Sequence, residues 1–392
     1  MSFDGEKAYG FVESIAFPRL SGSEGWKKCR QIIKDEFKKY GYEVKTQEFK
    51  STFTFQRILQ VLMIPIIALF LIIIIGYIFI PWMSLILCIL ILCGVPFITK
   101  IGSTGSSIRE PPKNYFLGEN IFVHLKSKNS KIKLVLMAHH DSKSQVLPIF
   151  LRVVCFIFLF IGAVCICLFG LIFSILKIFF FLTSPILDIL IIIFGCIGSV
   201  PAILLGFNFV TNISPGALDN GTAVALVMEL SRILKNNTFK NVDITFLLTD
   251  AEELGLLGAK AFIKEFGGKI YDKNISLFLN FEAPGAIDSE FELVTSFGIP
   301  KQKTSKKLNE YIRKAATLMN WELKERYWPF GVMADHNPIL NAGYQATLMD
   351  CLSIGGGIHT KNDNMTKVSK ENLQNAGLLV EKIIEVIDNE FD

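Results

Sequence analysis

The sequence predicts an α/β protein: a mixed, mostly parallel sheet with helices on both faces, interrupted by two inserted transmembrane helical hairpins. Three observations lead there. First, residues 241–262 (NVDITFLLTDAEELGLLGAKAF) pass from a buried-strand pattern, with Val242, Ile244, Phe246, Leu247 and Leu248, through acidic residues into helical spacing. Second, strand-like and helix-like segments alternate through the polar parts of the chain. Third, the chain of 392 residues is 51% hydrophobic and only 19% charged, and the apolar excess lies in two nearly charge-free blocks, 58–99 and 147–210. A mean hydropathy of +0.43 is too high for an ordinary soluble protein and marks a membrane protein with a soluble part.

In order, residues 7–17 read as a short amphipathic helix, 19–25 (RLSGSEG) as a loop, and 26–40 as a helix with Cys29, Ile32, Ile33, Phe37 and Tyr40 on one stripe. Gly41 stops that helix, and 42–49 alternates as a strand. Residues 58–80 and 82–99 each approach the ~20 residues a helix needs to cross a bilayer, with Pro81 at the turn. A polar loop follows over 101–119, then strands over 120–126 and 131–137, the second running into Ala138-His139-His140-Asp141-Ser142. The second apolar block has room for spans near 153–175 and 186–208, with Lys177 and Asp188 near the turn. Beyond it come SPGALDNGT at 214–222, a helix over 223–234, the central strand–acid–helix unit, and a strand over 275–281 ending in Glu282. A hairpin-like stretch (290–297), a helix (304–318), a strand (321–327), the segment 331–341, a strand (346–350), the loop 354–364 (IGGGIHTKNDN) and a helix over 369–390 complete the chain. The soluble domain is therefore discontinuous, over 1–56, 101–145 and 211–392, with hairpins at 57–100 and 146–210. Without the hairpins enough chain remains for one well-buried domain.

The formal net charge of +4 and the lack of a basic cluster interleaved with aromatics argue against a nucleic-acid partner. Six of the eight cysteines lie in the apolar blocks, so no disulfide framework or thiolate metal site is read; only Cys29 and Cys351 lie elsewhere. MSFDGEKAYGFVES has no apolar core after a basic start, which predicts no secretory signal peptide. The residues flanking the spans on the domain side are basic (Lys45, Lys50, Arg57, Lys100, Arg109, Lys113, Lys143, Arg152), whereas the hairpin tips carry Lys177. The positive-inside rule then places both termini and the soluble domain in the cytoplasm of a four-span membrane protein. Asn-x-Ser/Thr occurs at Asn212, Asn220, Asn236, Asn274 and Asn364 and is read as chance in an Asn-rich chain.

Separate strand ends and loops each offer a metal-ligand type: His139 with Asp141, Asp219, Glu252-Glu253, Glu282 and His359. Nitrogen and carboxylate donors without thiolates suit a catalytic zinc and tolerate cobalt or manganese. Five such groups exceed what one tetrahedral catalytic ion takes, and match two ions sharing a bridging carboxylate. Each residue has a plainer reading. Glu252-Glu253 fits a solvated first helical turn, favoured by the helix dipole. Asp219 fits a helix N-cap, and His359 a surface residue of a Gly-rich loop. His140 points away along a strand from its neighbour. Asp250 reads as structural, Asp363 as a support for His359, and Asp335-His336 as either site wall or packing.

Together the segments AHHDS, GALDNGTAVA, TDAEELGLLGAKAF, LNFEAPG and IHTKNDN resemble the co-catalytic zinc aminopeptidases of metallopeptidase family 28, whose relatives include glutamate carboxypeptidase II and glutaminyl cyclase. The resemblance implies a phosphorylase/hydrolase-like three-layer sandwich holding two zinc ions. It implies that His139 and Glu282 complete one zinc site, Glu253 and His359 the other, and that Asp219 bridges them. It further implies Asp141 as the residue orienting His139, Glu252 as general base, and a peptide as substrate; the lipid bilayer as a further partner follows from the apolar blocks instead. The two hairpins depart from the usual members: the first falls between the first two strands, the second between His139 and Asp219.

Overall fold

The computed structural model describes residues 2–104, 115–287, 289–329, 333–351 and 357–391, without side chains at 95–104 and 391. Arg109, Lys113, the side chain of Lys100, and the first residues of the segments read at 331–341 and 354–364 lie outside the described residues. The chain divides into two compact units, one of Met1–Thr52, Lys113–Gln145 and Val210–Asp392, the other of Phe53–Pro112 and Val146–Phe209.

The first unit holds helices α1 (Gly5–Ile15) and α2 (Glu24–Lys39), and the second α3 (Thr54–Phe79), α4 (Pro81–Thr104), α5 (Ile149–Phe179) and α6 (Pro185–Gly206). The first continues with α7 (Ala223–Leu234), α8 (Leu257–Phe266), α9 (Lys306–Leu318), α10 (His336–Asn341) and α11 (Lys370–Asp388). Its strands are β1 (Lys45–Ser51), β2 (Phe116–Leu125), β3 (Ile132–His139), β4 (Ser144–Gln145), β5 (Val210–Thr211), β6 (Val242–Thr249), β7 (Ser276–Glu282), β8 (Glu292–Phe297), β9 (Gln302–Lys303), β10 (Glu325–Trp328) and β11 (Gln345–Asp350). Side-chain caps set the helix starts: Asp4 accepts from the amides of Glu6 and Lys7, and Ser23, Ser305 and Ser369 cap α2, α9 and α11. Gly41, with φ +80°, lets the chain leave α2.

The main sheet runs β1-β2-β6-β3-β7-β11-β8-β10, with β9 beside β8. Its centre, β6-β3-β7-β11, is parallel, and β2, β1 and β8 join antiparallel to their inner neighbours. Alternation on β3 sends Leu134, Leu136 and Ala138 into a core with α1, α2, α7, α9 and α11, and Val135 and Met137 into a second core with α8 and α10. Both faces are thus covered by helices. Three readings needed adjustment. The stretch over 290–297 is one strand, α10 was not anticipated, and the 101–119 loop is entered and left by α4 and β2.

In the second unit, α3, α5 and α6 are long and apolar enough to cross a membrane, and the described apolar part of α4, Pro81–Gly94, is shorter. Phe70, Ile73, Tyr77, Ile166, Phe173 and Ile191 pack inward, while Ile64, Ile72, Ile75 and Phe160 remain exposed. An outward apolar surface of this extent calls for lipid rather than water. α5 and α6 meet through small residues: a Cβ added at Gly162 would lie 2.3 Å from the Gly198 amide nitrogen.

Candidate metal centre

The carboxyl ends of parallel strands are where open α/β sheets place their ligand sites. His139 is the last residue of β3 and Glu282 the last of β7. Glu252 and Glu253 follow β6, Asp219 stands just ahead of α7, and His359 lies between β11 and α11. The five side chains read as ligands converge. His139 Nε2 lies 3.1 Å from Asp219 Oδ1 and 3.4 Å from Glu282 Oε2. His359 Nε2 lies 2.9 Å from Asp219 Oδ2 and 2.9 Å from Glu253 Oε1. Two three-residue groups result, His139/Asp219/Glu282 and Asp219/Glu253/His359, which share Asp219 through its two oxygens.

Donors held ~2.0–2.1 Å from one tetrahedral ion lie about 3.3 Å from each other. The histidine–carboxylate pairs above span 2.9–3.4 Å, close to that spacing, and all donor atoms of each group lie within 4.8 Å of one another, as the ligands of one divalent cation must. The plainer readings do not hold. Glu252 and Glu253 are 9% and 4% exposed, and the helix after them begins only at Leu257. Ala251, Gly255 and Leu256 have positive φ (55°, 110° and 62°), so the chain turns sharply before it can coil. The cap position of α7 is Thr222 with no side-chain cap bond, and Asp219 spends its carboxylate on the two histidines. His359 itself adopts φ +63° and is largely covered.

The supports are as specific as the donors. Asp141 Oδ1 lies 3.4 Å from His139 Nδ1. The same carboxylate accepts the Glu252 and Glu253 amides at 3.2 and 3.3 Å, so one side chain orients the imidazole and the acidic turn together. Asp250 stays out of the cluster, accepting from Ser21, the Trp26 indole and the amides of Ala251 and Glu119. His140 turns away, its Nε2 3.1 Å from the Glu119 carbonyl. Asn220 ties the Asp219 loop to β7 by donating to the Phe281 carbonyl and accepting the Ala283 amide. Asp363 was read as a support for His359; its carboxylate instead accepts the amides of Leu218 at 2.7 Å and Asp219 at 3.2 Å. Asp335 accepts from the Thr249 hydroxyl, and His336 lies buried edge-on to Phe297. One neighbour was missed. Lys143 Nζ lies 2.5 Å from Glu253 Oε2. Its partner lies 110 positions further along the chain, beyond the reach of sequence periodicity.

The electrostatics follow from five carboxylates, Asp141, Asp219, Glu252, Glu253 and Glu282, around two imidazoles. Burial alone would depress His139, but Glu282, Glu252, Asp141 and Asp219 raise it well above the ordinary range. Burial would raise Asp219, yet its bonds to both histidines hold it well below. Glu253, also buried, is brought down to about 2 by His359 and Lys143. Glu252 goes the other way. Burial, reinforced by Glu253, Glu282 and Asp335 against the pull of His139, raises it well above an ordinary carboxyl. At 3.9 Å from His139 Nε2, its Oε2 stands beside the donor set rather than within it. Burial and the neighbouring carboxylates thus favour the protonated form of Glu252 in the metal-free site, and cations held by the two groups would pull it back toward the carboxylate that a general base needs.

Residues 197–384 match the model of peptidase family M28. Five of the site residues, Asp219, Glu252, Glu253, Glu282 and His359, fall inside that span, and His139 and Asp141 precede it. Aminopeptidase YwaD of Bacillus subtilis (strain 168) is 30% identical over 175 residues, 43% of this chain and 36% of that protein. A vacuolar membrane protease of Candida albicans (strain WO-1) is 33% identical over 100 residues, 25% of this chain and 11% of that protein. The matches thus cover about a third of the first relative's length and about a tenth of the second's. Among solved structures, a glutaminyl cyclase from an Acidobacteriales bacterium has a TM-score of 0.58 at 16% identity, covering 99% of this chain and 96% of that one. The aminopeptidase from Aneurinibacillus sp. strain AM-1 has a TM-score of 0.57 at 13% identity, covering 97% and 93%. At such identities the likeness is one of fold, a mixed α/β fold like that of these aminopeptidases. The family match and the strand-end motifs agree: residues 197–384 of this chain form a domain of the peptidase M28 family.

Proposed function

We propose that the protein is a membrane-anchored, zinc-dependent exopeptidase, an aminopeptidase that removes N-terminal residues from peptides. The observation that carries this is the pair of donor groups sharing Asp219, with Glu252 beside them. His139 and Glu282 would hold one ion, Glu253 and His359 the other, and Asp219 both. Zinc bound there supplies Lewis acidity, polarising a carbonyl and acidifying a water. Glu252 accepts a proton from the attacking water and delivers it to the departing amine, a role open to a buried carboxyl that stands beside both donor groups without belonging to either. Asp141 keeps the His139 ring and the Glu252 amide in register through this cycle. No arginine cluster for a substrate carboxylate stands out, which favours the amino end of the peptide over the carboxyl end.

The two apolar blocks, 57–100 and 146–210, are assigned to two hairpins crossing the bilayer, with the metallopeptidase domain and both termini on the cytoplasmic side. Three helices of spanning length, the outward apolar surface and the relative named a vacuolar membrane protease support the membrane assignment. The basic residues flanking the blocks support the orientation. Lys143 leaves that count of flanking charges, because it is held by Glu253.

The test is metal analysis of the purified full chain together with a panel of aminoacyl and dipeptide substrates. Two zinc ions per chain and release of N-terminal residues are expected. One zinc with cyclisation of N-terminal glutamine would instead establish glutaminyl-cyclase-like chemistry, which the likeness to a cyclase fold keeps in view. Binding of no zinc, with no turnover, would leave a silent membrane scaffold.

A further inference from the structure

Arg19 leads the fully buried side chains in size among the described residues, and no role in the chemistry above has fallen to it. It sits in the RLSGSEG loop between α1 and α2. Its guanidinium makes no ion pair among the described residues; its N–H groups go to main-chain carbonyls. Nε donates to His140 at 2.8 Å, Nη1 to Ile15 at 3.1 Å and Pro215 at 2.5 Å, and Nη2 to Gly216 at 2.7 Å. The main chain adds a reciprocal pair: the Arg19 amide donates to Ser142 Oγ at 3.2 Å, and the Ser142 amide to the Arg19 carbonyl at 3.3 Å.

Two of the three segments gathered this way bear metal donors. Residues 139–142 carry His139 and Asp141, and the loop from Pro215 carries Asp219. Asp363 grips that loop on its amides at Leu218 and Asp219, and Arg19 grips it on its carbonyls at Pro215 and Gly216. The contact leaves no slack. Gly216 has φ +61°, and a Cβ there would lie 2.8 Å from Arg19 Nη1 and 2.5 Å from Ser142 Cβ.

We propose that Arg19 is the positioning residue of the metal centre. Its planar fork of donors fixes the spacing between the His140 carbonyl and the Pro215–Gly216 carbonyls, and so the spacing between His139 and Asp219. A lysine, with one compact ammonium, cannot reproduce that fork. The second membrane block separates His139 from Asp219 along the chain, so their spacing is left to cross-links of this kind. This rests on the zinc-peptidase reading. The competing role is a plain staple that holds the N-terminal segment in the fold.

Full-length protein in detergent is compared as wild type, Arg19→Lys and Arg30→Lys. Arg30, in the same N-terminal segment, pairs with Glu119 at 2.9 Å away from the donors and serves as control. Zinc affinity is read by competition with a chromophoric chelator, site geometry by the visible spectrum of the cobalt-loaded protein, and the fold by thermal unfolding in excess chelator. Expected for Arg19→Lys are about 10- to 100-fold weaker zinc binding, the range typical when a ligand-orienting group is lost, an altered cobalt spectrum, and an unfolding temperature in chelator close to wild type. Unchanged zinc affinity and cobalt spectrum would overturn the proposal, as would an equal loss in Arg30→Lys. If Arg19→Lys does not fold, Arg19→Gln is measured the same way, and failure of both to fold assigns Arg19 to the fold and overturns the proposal. A wild type that binds no zinc overturns the peptidase reading itself, a result distinct from either.

Discussion

Replacing Glu252 with glutamine separates proton transfer from metal binding, because Glu252 stands beside the donors without joining them. Its Oε2 lies 3.9 Å from His139 Nε2, too long for a hydrogen bond, and neither three-residue group contains it. The substitution keeps the side-chain volume and leaves the amide bond to Asp141 in place. Two zinc ions should remain bound. A positioned general base contributes about 10²–10⁴-fold to rate, so kcat should fall by that factor, equivalent to roughly 3–5 kcal/mol in the barrier. The metal-free protein should change in the opposite sense. Its carboxyl is pushed up by burial and by Glu253, Glu282 and Asp335, so an amide removes a destabilising charge near neutral pH, and Tm in excess chelator should rise. The assays are steady-state turnover of an aminoacyl substrate, zinc content after gel filtration, and thermal unfolding in chelator. A variant that keeps kcat within tenfold of wild type would remove Glu252 as the base. A variant that loses zinc would mean it is a ligand.

Further outcomes follow from the same geometry. His359→Ala removes a donor from one group only, so about one of two zinc ions should be lost, whereas Asp219→Asn weakens both groups; zinc content at a fixed chelator concentration distinguishes them. Asp335 is raised to about 7, chiefly by burial, from an ordinary 3.8. Its folded value lies above its unfolded one, so its contribution is full below about pH 4 and lost as pH rises through 7. In metal-free protein the loss is of order 4 kcal/mol. Asp335→Asn should flatten the fall in Tm between pH 4 and 8, and an unchanged slope would show that the acid does not titrate in this range. Carbonate washing should leave the full chain in the membrane pellet, and in right-side-out vesicles the metallopeptidase domain should resist added protease; digestion there would reverse the orientation.

Three of the candidate positions were legible because they stand at or just past strand ends, which can be read from apolar runs: β3 stops at His139, β7 at Glu282, and β6 at Thr249, shortly before Glu252-Glu253. The turn that separates Glu252-Glu253 from α8 was not legible, because it depends on positive φ at Ala251 and Leu256, residues that do not advertise it as glycine does. Lys143 and Arg19 escaped for a different reason. Their partners, Glu253 and the Pro215–Gly216 carbonyls, are more than a hundred positions away, and periodicity carries no information at that range. The Asp363 contact was misplaced by proximity: four residues from His359, it serves a loop far earlier in the chain.

How a metal centre survives two long apolar insertions is a question of where they leave and return. The first falls between antiparallel neighbours, and the register of β1 with β2 runs to Ser51 opposite Phe116. It therefore occupies the place of a hairpin turn, and the strands that pair across it are the ones that would pair without it. The second is bounded by β4 and β5, which pair as Ser144 with Thr211 and Gln145 with Val210, and a 2.8 Å bond joins the Ser144 and Thr211 hydroxyls. Gln145 also donates its amide to the carbonyl of His359 at 3.0 Å, tying that boundary to a metal donor. Loop-closure entropy grows only logarithmically with length, so a long insertion costs little more than a short one once its two ends are held together. These paired ends make the donor geometry a property of the metallopeptidase unit's own strands and loops. Shortening either insertion while keeping Ser51–Phe116 or β4–β5 intact should leave zinc affinity unchanged, whereas breaking the Ser144–Thr211 pair should weaken it through His359.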